Sequence, residues 1–511
     1  MVTGTWILLT IYVLAVIYLV VKGAGKTKNI SDYALGSVLF SPVAVGLSLA
    51  ASMTSAATFV INPGFIANFG VSGALSYAVF LPLASMISLV VLTKSFRKHG
   101  QSVKALTLAQ WIGKRYDSKS YAFFMGLLAL LLLTFIVLIV VALTKVIAQS
   151  LNLNEFNVML AIVIFVFGYM MYGGANSMVY TNTIQAVVML IVAIILLTSG
   201  YEHFSNGVQG FLDKLAAIDP LLVKPVNPQS PLFRNFYEII FAQIVVGIAI
   251  VVQPHIITKS LLLKKESDVN KFLVTAVIAE VLFFAVVIAG LYARISFPEL
   301  SLNGSTLSND NIIPAYVVET FSNGTFAVLV GLFVVLGLIA AGMSTLEGLI
   351  QSVSTTITSD LIQPLFGHKI QADISLIRIN KVAIVFMALI TIYLASDQLI
   401  NPKLSVGIFA QNGVYAYFSA AFVPVIFGIF FKHVKVSTVF AATITAISVH
   451  FLVYYGLPAL HQVQTLDLGF FTSFIEGKVR NPAIAASSAI VVSSVVGLMW
   501  HFINREKGAK A

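Results

Sequence analysis

Long apolar stretches recur along this chain with little between them. Segments near 4–22, 41–69, 71–94, 120–149, 155–173, 177–200, 235–257, 268–293, 325–357, 379–396, 404–431, 436–456 and 481–503 are apolar over membrane-crossing lengths, a crossing taking about 20 residues of helix. None alternates apolar and polar positions over ten or so residues, so the pattern predicts helices and argues against a membrane β-barrel. The expectation is an all-α polytopic membrane protein of thirteen transmembrane helices. The longest loops, at 201–234, 294–324 and 457–480, are too short for an independent catalytic domain.

Composition makes lipid the main solvent. The chain is 59% apolar and 10% charged, with mean hydropathy +0.96, where soluble domains carry about 25% charged residues. It has no cysteine, which excludes disulfides, thiolate metal sites and a Cys nucleophile. The net charge of +10 reads as topology. With the N-terminus outside, 22 of the 30 Lys and Arg residues fall on the cytoplasmic side, as the positive-inside rule requires. No nucleic-acid partner is needed to explain the charge. Thr5–Val21 is followed, not preceded, by Lys22, Lys26 and Lys28, which argues for a retained first span rather than a signal peptide. The expected placement is multi-pass in the cell membrane, with the C-terminus cytoplasmic.

Three segments depart from a lipid-facing pattern. Leu47-Ser-Leu-Ala-Ala-Ser-Met-Thr-Ser-Ala-Ala-Thr58, followed by Asn62-Pro63-Gly64, is made of small and hydroxylated residues that let backbones approach closely or unwind. Unwound backbone at membrane depth persists only where it lines a cavity or binds something. The alternative is a tight helix seam. Ala340-Ala-Gly-Met-Ser-Thr-Leu-Glu347 sets two hydroxyls about 100° apart on one helix, able to flank a small ion or to bond back to the preceding turn. Glu347, like Glu280, is a carboxylate within an apolar span and needs a partner or water. Lys145 lies near enough to the outer surface to snorkel. Gly247 and Pro254 are the expected breakers of a second discontinuous span. Two such spans five apart suit inverted repeats with the first helix of each repeat broken.

These landmarks together resemble the sodium/solute symporter family, in particular the sodium/pantothenate and sodium/proline symporters. They are Asp32-Tyr-Ala-Leu-Gly36, Leu47–Gly64, Thr107-Leu-Ala-Gln-Trp-Ile-Gly-Lys-Arg-Tyr116, Tyr172-Gly-Gly with Val179-Tyr-Thr-Asn-Thr-Ile-Gln185, Gln253-Pro-His255 and Ala341-Gly-Met-Ser-Thr345. Gly207–Lys224 is most similar to the pantothenate branch. The resemblance implies a LeuT-like core of five plus five helices. Residues 1–40 would form a peripheral helix and loop, 41–200 the first repeat, 201–234 an outer loop, 235–431 the second repeat, and 432–511 two peripheral helices and a tail. It also implies a sodium (Na+) site on Ala51, Thr54, Ala341, Ser344 and Thr345.

Two departures refine what the resemblance implies. Many members carry Asp where Asn182 stands, and Glu347 replaces one of the hydroxyls that work with it. Asn182 and Glu347 are therefore a candidate second ion site, with one sodium per solute as the alternative. Met53, Val246 and Ile250 stand where the proline symporter has charged or aromatic groups. An apolar lining of Met53, Phe59, Val246 and Ile250, with polar contacts from Ser55, Thr58, Asn62, Gln243, Gln411 and Asn412, suits a small carboxylate with an aliphatic body. A polyol would leave hydroxyls unpaired there.

The expected activity is sodium-coupled symport of a small organic solute by alternating access, pantothenate- or monocarboxylate-like, by a protein that works as a monomer. An amino-acid or sugar symporter of the same fold is the near alternative. A sodium-independent channel or uniporter and an integral-membrane enzyme are the distant ones. The 8 His residues form no HExxH motif or helical pair, which disfavours the enzyme.

Overall fold

The computed structural model describes residues 2–302, 304–322, 324–366, 373–401 and 404–509. Lys369, Lys403 and Lys510, which enter the basic-residue count, lie outside them. In chain order the principal helices are α1 (Val2–Ala24), α2 (Pro42–Met53), α3 (Ala57–Phe69), α4 (Val71–Ser102), α5 (Lys119–Leu151), α6 (Glu155–Met170) and α7 (Gly174–Phe204). They continue as α8 (Tyr237–Ile250), α9 (Pro254–Leu262), α10 (Glu266–Ser296), α11 (Thr325–Phe366), α12 (Ser375–Ile400), α13 (Val406–Phe430), α14 (Val436–Val463) and α15 (Pro482–Ile503). The only sheet among the described residues is the small hairpin of Ser301–Leu302 with Ser305–Thr306.

Ten of these helices are long and apolar enough to cross a membrane, and twelve spans result if each of two bent pairs is one. The pairs are α2 with α3, bent by 53°, and α8 with α9, bent by 56°. The remaining expected crossing falls on α6, whose 16 residues are fewer than the ~20 that span a bilayer unaided.

Both breaks have local causes. α2 ends at Met53, and Thr54 turns to φ −100°, ψ 94°, out of the helical region. The run of Ser, Ala and Thr there has no bulky side chain to hold the helix by packing. Between α8 and α9, Gln253 is extended at φ −63°, ψ 137°, as a residue before proline is biased to be, and Pro254 then opens α9 without an N–H to lose. Gly247 does not break the span as expected. It lies inside the helical turn Gln243–Ile250, and a Cβ there would meet the Leu81 carbonyl oxygen at 2.5 Å. Its small size lets α8 press onto α4.

The landmark Thr107–Tyr116 is an anchor. Thr107 caps the short helix Leu108–Arg115 and donates to Asp360 Oδ2 on α11 at 2.7 Å. Trp111 Nε1 donates to the Phe96 carbonyl at 3.0 Å, and Arg115 bonds the carbonyls of Gly428 and Phe431 at 2.7 Å each. One segment thus ties α4, α11 and the end of α13 together.

Candidate cation and solute site

The break in the first bent span lies against the middle of α11. Ser344 Oγ donates to the Ala51 carbonyl at 2.7 Å and lies 3.1 Å from the Ala341 carbonyl. Thr345 Oγ1 lies 3.4 Å from the Ala51 carbonyl, 3.2 Å from that of Ser52 and 3.4 Å from that of Ala341. Ala51, Ala341, Ser344 and Thr345 are all fully buried. Carbonyl and hydroxyl oxygens from helices nearly 300 positions apart therefore meet within one hydrogen-bond length. Each hydroxyl has more carbonyl neighbours than it has protons, so this oxygen-rich set suits a small hard cation that accepts several oxygens at once. The residues present fit sodium. Thr54 stands at the break, where its N–H reaches the Ala50 carbonyl at 3.0 Å and its hydroxyl bonds that same oxygen.

Beside this set lies a buried polar cluster. Glu347 Oε1 accepts from Tyr169 Oη at 2.6 Å and Gln185 Nε2 at 3.2 Å, and Oε2 accepts from Thr181 Oγ1 at 2.5 Å. Gln185 Nε2 also reaches Tyr12 Oη on α1 at 2.8 Å. Asn182 and Ser52 Oγ are 3.0 Å apart, and Ser52 Oγ lies 3.2 Å from the Ser344 carbonyl.

Sequence reasoning missed Lys259. The basic-residue count places it on the cytoplasmic side, yet it is 2% exposed and donates to Ser48 O and Ser48 Oγ at 2.9 and 2.7 Å. Its signal is position: it follows His255 by four residues and lies just past the end of the apolar segment near 235–257. Glu280 is fully buried, with no hydrogen-bond partner among the described residues for either oxygen.

A cavity of about 70 Å³ opens next to the break. Of the expected solute contacts, Met53, Ser55, Thr58, Asn62, Ile250 and Gln411 line it, and Tyr77, Gln253 and Tyr415 join them. Asn62 Oδ1 and Gln253 Oε1 are buried acceptors without a hydrogen-bond partner among the described residues. Phe59, Gln243, Val246 and Asn412 are not in the lining. Phe59 packs edge-on against Phe283 with ring centres 5.8 Å apart. Asn412 turns the other way, to Tyr455 Oη at 2.5 Å and His450 Nε2 at 2.9 Å. Gln243 and Val246 are buried in α8, one turn or more before its break.

A model of the sodium:solute symporter family matches residues 33–446. The sodium/pantothenate symporter of Escherichia coli (strain K12) is 26% identical over 364 residues, covering 69% of this chain and 70% of its own length. The sodium/proline symporter of Staphylococcus aureus is 26% identical over 450 residues, covering 84% of this chain and 81% of its own. A solved structure of a Na+-coupled sialic acid symporter in a substrate-bound outward-open state superposes with a TM-score of 0.75 at 16% identity, covering 97% of both chains. At that identity the likeness speaks for the fold alone.

Proposed function

This chain belongs to the sodium:solute symporter family, and from that premise we propose that it imports a small carboxylate with an aliphatic body, one that pantothenate or a monocarboxylate exemplifies. Sodium is the coupling ion, held by the carbonyl oxygens of Ala51, Thr54 and Ala341 and the hydroxyls of Ser344 and Thr345. The single observation that carries the coupling is the approach of Ser344 Oγ to the Ala51 carbonyl at 2.7 Å. It supports the reading because Ala51 belongs to the same segment as Met53, Ser55 and Thr58, which line the cavity.

Coupling then follows from geometry. The residues on either side of the break serve two sites: Ala51 faces α11, while Met53, Ser55 and Thr58 face the cavity. Fixing the backbone of 51–54 through its carbonyls orders the solute contacts two to seven residues on. Ordering one site reduces the entropy cost of filling the other. Sodium shifts the balance of states only as far as it binds one better than another. The membrane potential adds about 2.3 kcal/mol per charge per 100 mV to inward movement. In the cavity, the Asn62 and Gln253 oxygens suit hydroxyl or amide N–H donors along the solute, and Ser55, Thr58 and Gln411 supply donors for its carboxylate. Met53, Ile250 and Phe284 enclose the aliphatic part.

The same reading makes α6 a thirteenth crossing, tilted little and short. It places the N-terminus outside, takes residues 41–200 and 235–431 as inverted repeats, and needs no second subunit to complete a site. Uptake of labelled pantothenate and of short monocarboxylates into proteoliposomes, with an inward sodium gradient or with choline in its place, tests it. Uptake that requires sodium is the expected result. Equal uptake in choline would make the protein a uniporter and end the reading.

A further inference from the structure

Lys259 is a buried cation that the transport scheme does not use. Its ammonium has three N–H donors. Two go to Ser48, through the carbonyl at 2.9 Å and the hydroxyl at 2.7 Å. The third finds Asn182. With the Asn182 amide oriented so that its oxygen meets donors and its nitrogen meets acceptors, the oxygen accepts from Lys259 Nζ at 3.1 Å. The nitrogen then donates to Glu347 Oε2 at 3.2 Å and to Gln185 Oε1 at 2.9 Å. All three ammonium donors are used. One amide stands between the ammonium and the carboxylate, so that α9, α7 and α11 meet through three side chains. Lys259 is 2% exposed, and Asn182 and Glu347 are fully buried.

A lone charge inside a membrane bundle is costly, and removing one member of a buried pair leaves the other uncompensated. Here the pair is satisfied at both ends and neutral as a whole. It also touches the cation set: Ser52 Oγ lies 3.0 Å from the Asn182 oxygen and 3.2 Å from the Ser344 carbonyl. We propose that the Lys259 ammonium is a tethered cation that balances Glu347 beside the sodium set, so that each transport cycle carries one sodium ion, and that removing it turns the Glu347 pocket into a second monovalent-cation site. Lys259 is a positioning residue in this scheme: it fixes how many free cations bind, without itself touching the solute. The inference rests on the sodium-coupled reading above.

Equilibrium binding of radioactive sodium to the purified full chain counts the sites directly. The wild type is expected to bind about one ion per chain, Lys259→Met about two, and Lys259→Met/Glu347→Gln about one again; Lys259→Arg, which keeps the charge, stays at one. No saturable sodium binding by the wild type would defeat the sodium-coupled reading itself. Two ions in the wild type, or one in a folded Lys259→Met, would overturn the tethered-cation inference alone. Should Lys259→Met fail to fold without sodium, millimolar sodium or the added Glu347→Gln change is expected to restore a cooperative melt. A double variant that stays unfolded, or that binds two ions, would overturn it as well.

Discussion

The hydroxyl of Ser344 and the carbonyl of Ala51 are 2.7 Å apart although 293 positions separate them in the chain. Around that contact, Thr345 Oγ1 has three carbonyl oxygens within 3.4 Å. A hydroxyl ligand to a charged group is worth about 1.5–3 kcal/mol, and about 1.4 kcal/mol is tenfold in affinity. Ser344→Ala and Thr345→Ala should each raise the sodium concentration for half-maximal uptake at least roughly tenfold. The solute KM at saturating sodium should change little. An unchanged sodium dependence in both variants would remove these hydroxyls from the site.

Gln411 and Asn412 are neighbours with opposite duties. One helical step turns successive side chains about 100° apart. Gln411 lines the cavity, while Asn412 is held by Tyr455 and His450. Gln411→Ala should therefore raise the solute KM about tenfold, the scale of one lost hydrogen bond to a charged solute. Asn412→Ala should leave KM alone and lower the melting temperature, because it removes the side-chain bonds to Tyr455 Oη and His450 Nε2 and leaves that histidine only the residue-412 carbonyl at 3.0 Å. Solute titrations and melts on the two variants separate the roles.

That pair also shows what the linear pattern could and could not convey. Hydropathy marked the ten long apolar helices and the two bent pairs, because apolar length is a local property. The Ser/Thr/Ala runs marked the two segments whose oxygens meet, Ala51 with Ser344 and Thr345, because small hydroxylated residues let backbones approach closely. Gln411 and Asn412 look alike in one dimension, and only the packing of α14 against α13 decides which faces the cavity. Gly247 is ambiguous for a related reason: a glycine in an apolar run can mark a break or a close approach, and the Leu81 carbonyl beside it makes it the latter. Lys259 was hidden because a lysine after a proline near a span's end looks like a loop charge. Only the continuation of α9 past Pro254 carries it inside.

Gly290 on α10 faces the Pro63 carbonyl so closely that a Cβ would lie 2.1 Å from the oxygen. Backbone cannot yield as a flexible side chain can. Overpacking of this kind costs about 1–3 kcal/mol. Gly290→Ala should lower the melting temperature and, by displacing Pro63, weaken solute binding through the adjacent Asn62. Gly168 on α6 has open space around its would-be Cβ. Gly168→Ala should be neutral or slightly stabilising, since alanine is favoured over glycine in a helix by up to about 1 kcal/mol. Equal effects at the two positions would show that close packing at Pro63 is not the cause.

Glu238, at the start of α8, is fully buried, and Arg234 one turn earlier holds it with Nη2 at 2.7 Å and Nε at 3.1 Å. The Arg234 backbone N–H at 2.8 Å and Asn481 Nδ2 at 3.2 Å add two more donors, and the guanidinium also reaches the Ser473 carbonyl. The pair thus joins the second bent span to the segment before α15. Its worth lies in mutual satisfaction more than in attraction. Removing one partner of a buried pair strands a charge and typically costs about 3–5 kcal/mol, whereas replacing both by neutral groups of similar shape is often close to neutral. Arg234 is partly exposed, with 17% of its side-chain surface open, so water offsets part of the loss and the lower end of that range applies. Arg234→Met should lower the melting temperature clearly, and adding Glu238→Gln should recover most of the loss. The Gln side chain still accepts from Asn481 and needs no counter-charge. If the double variant melts no higher than Arg234→Met, the stranded Glu238 charge is not what destabilises the single variant.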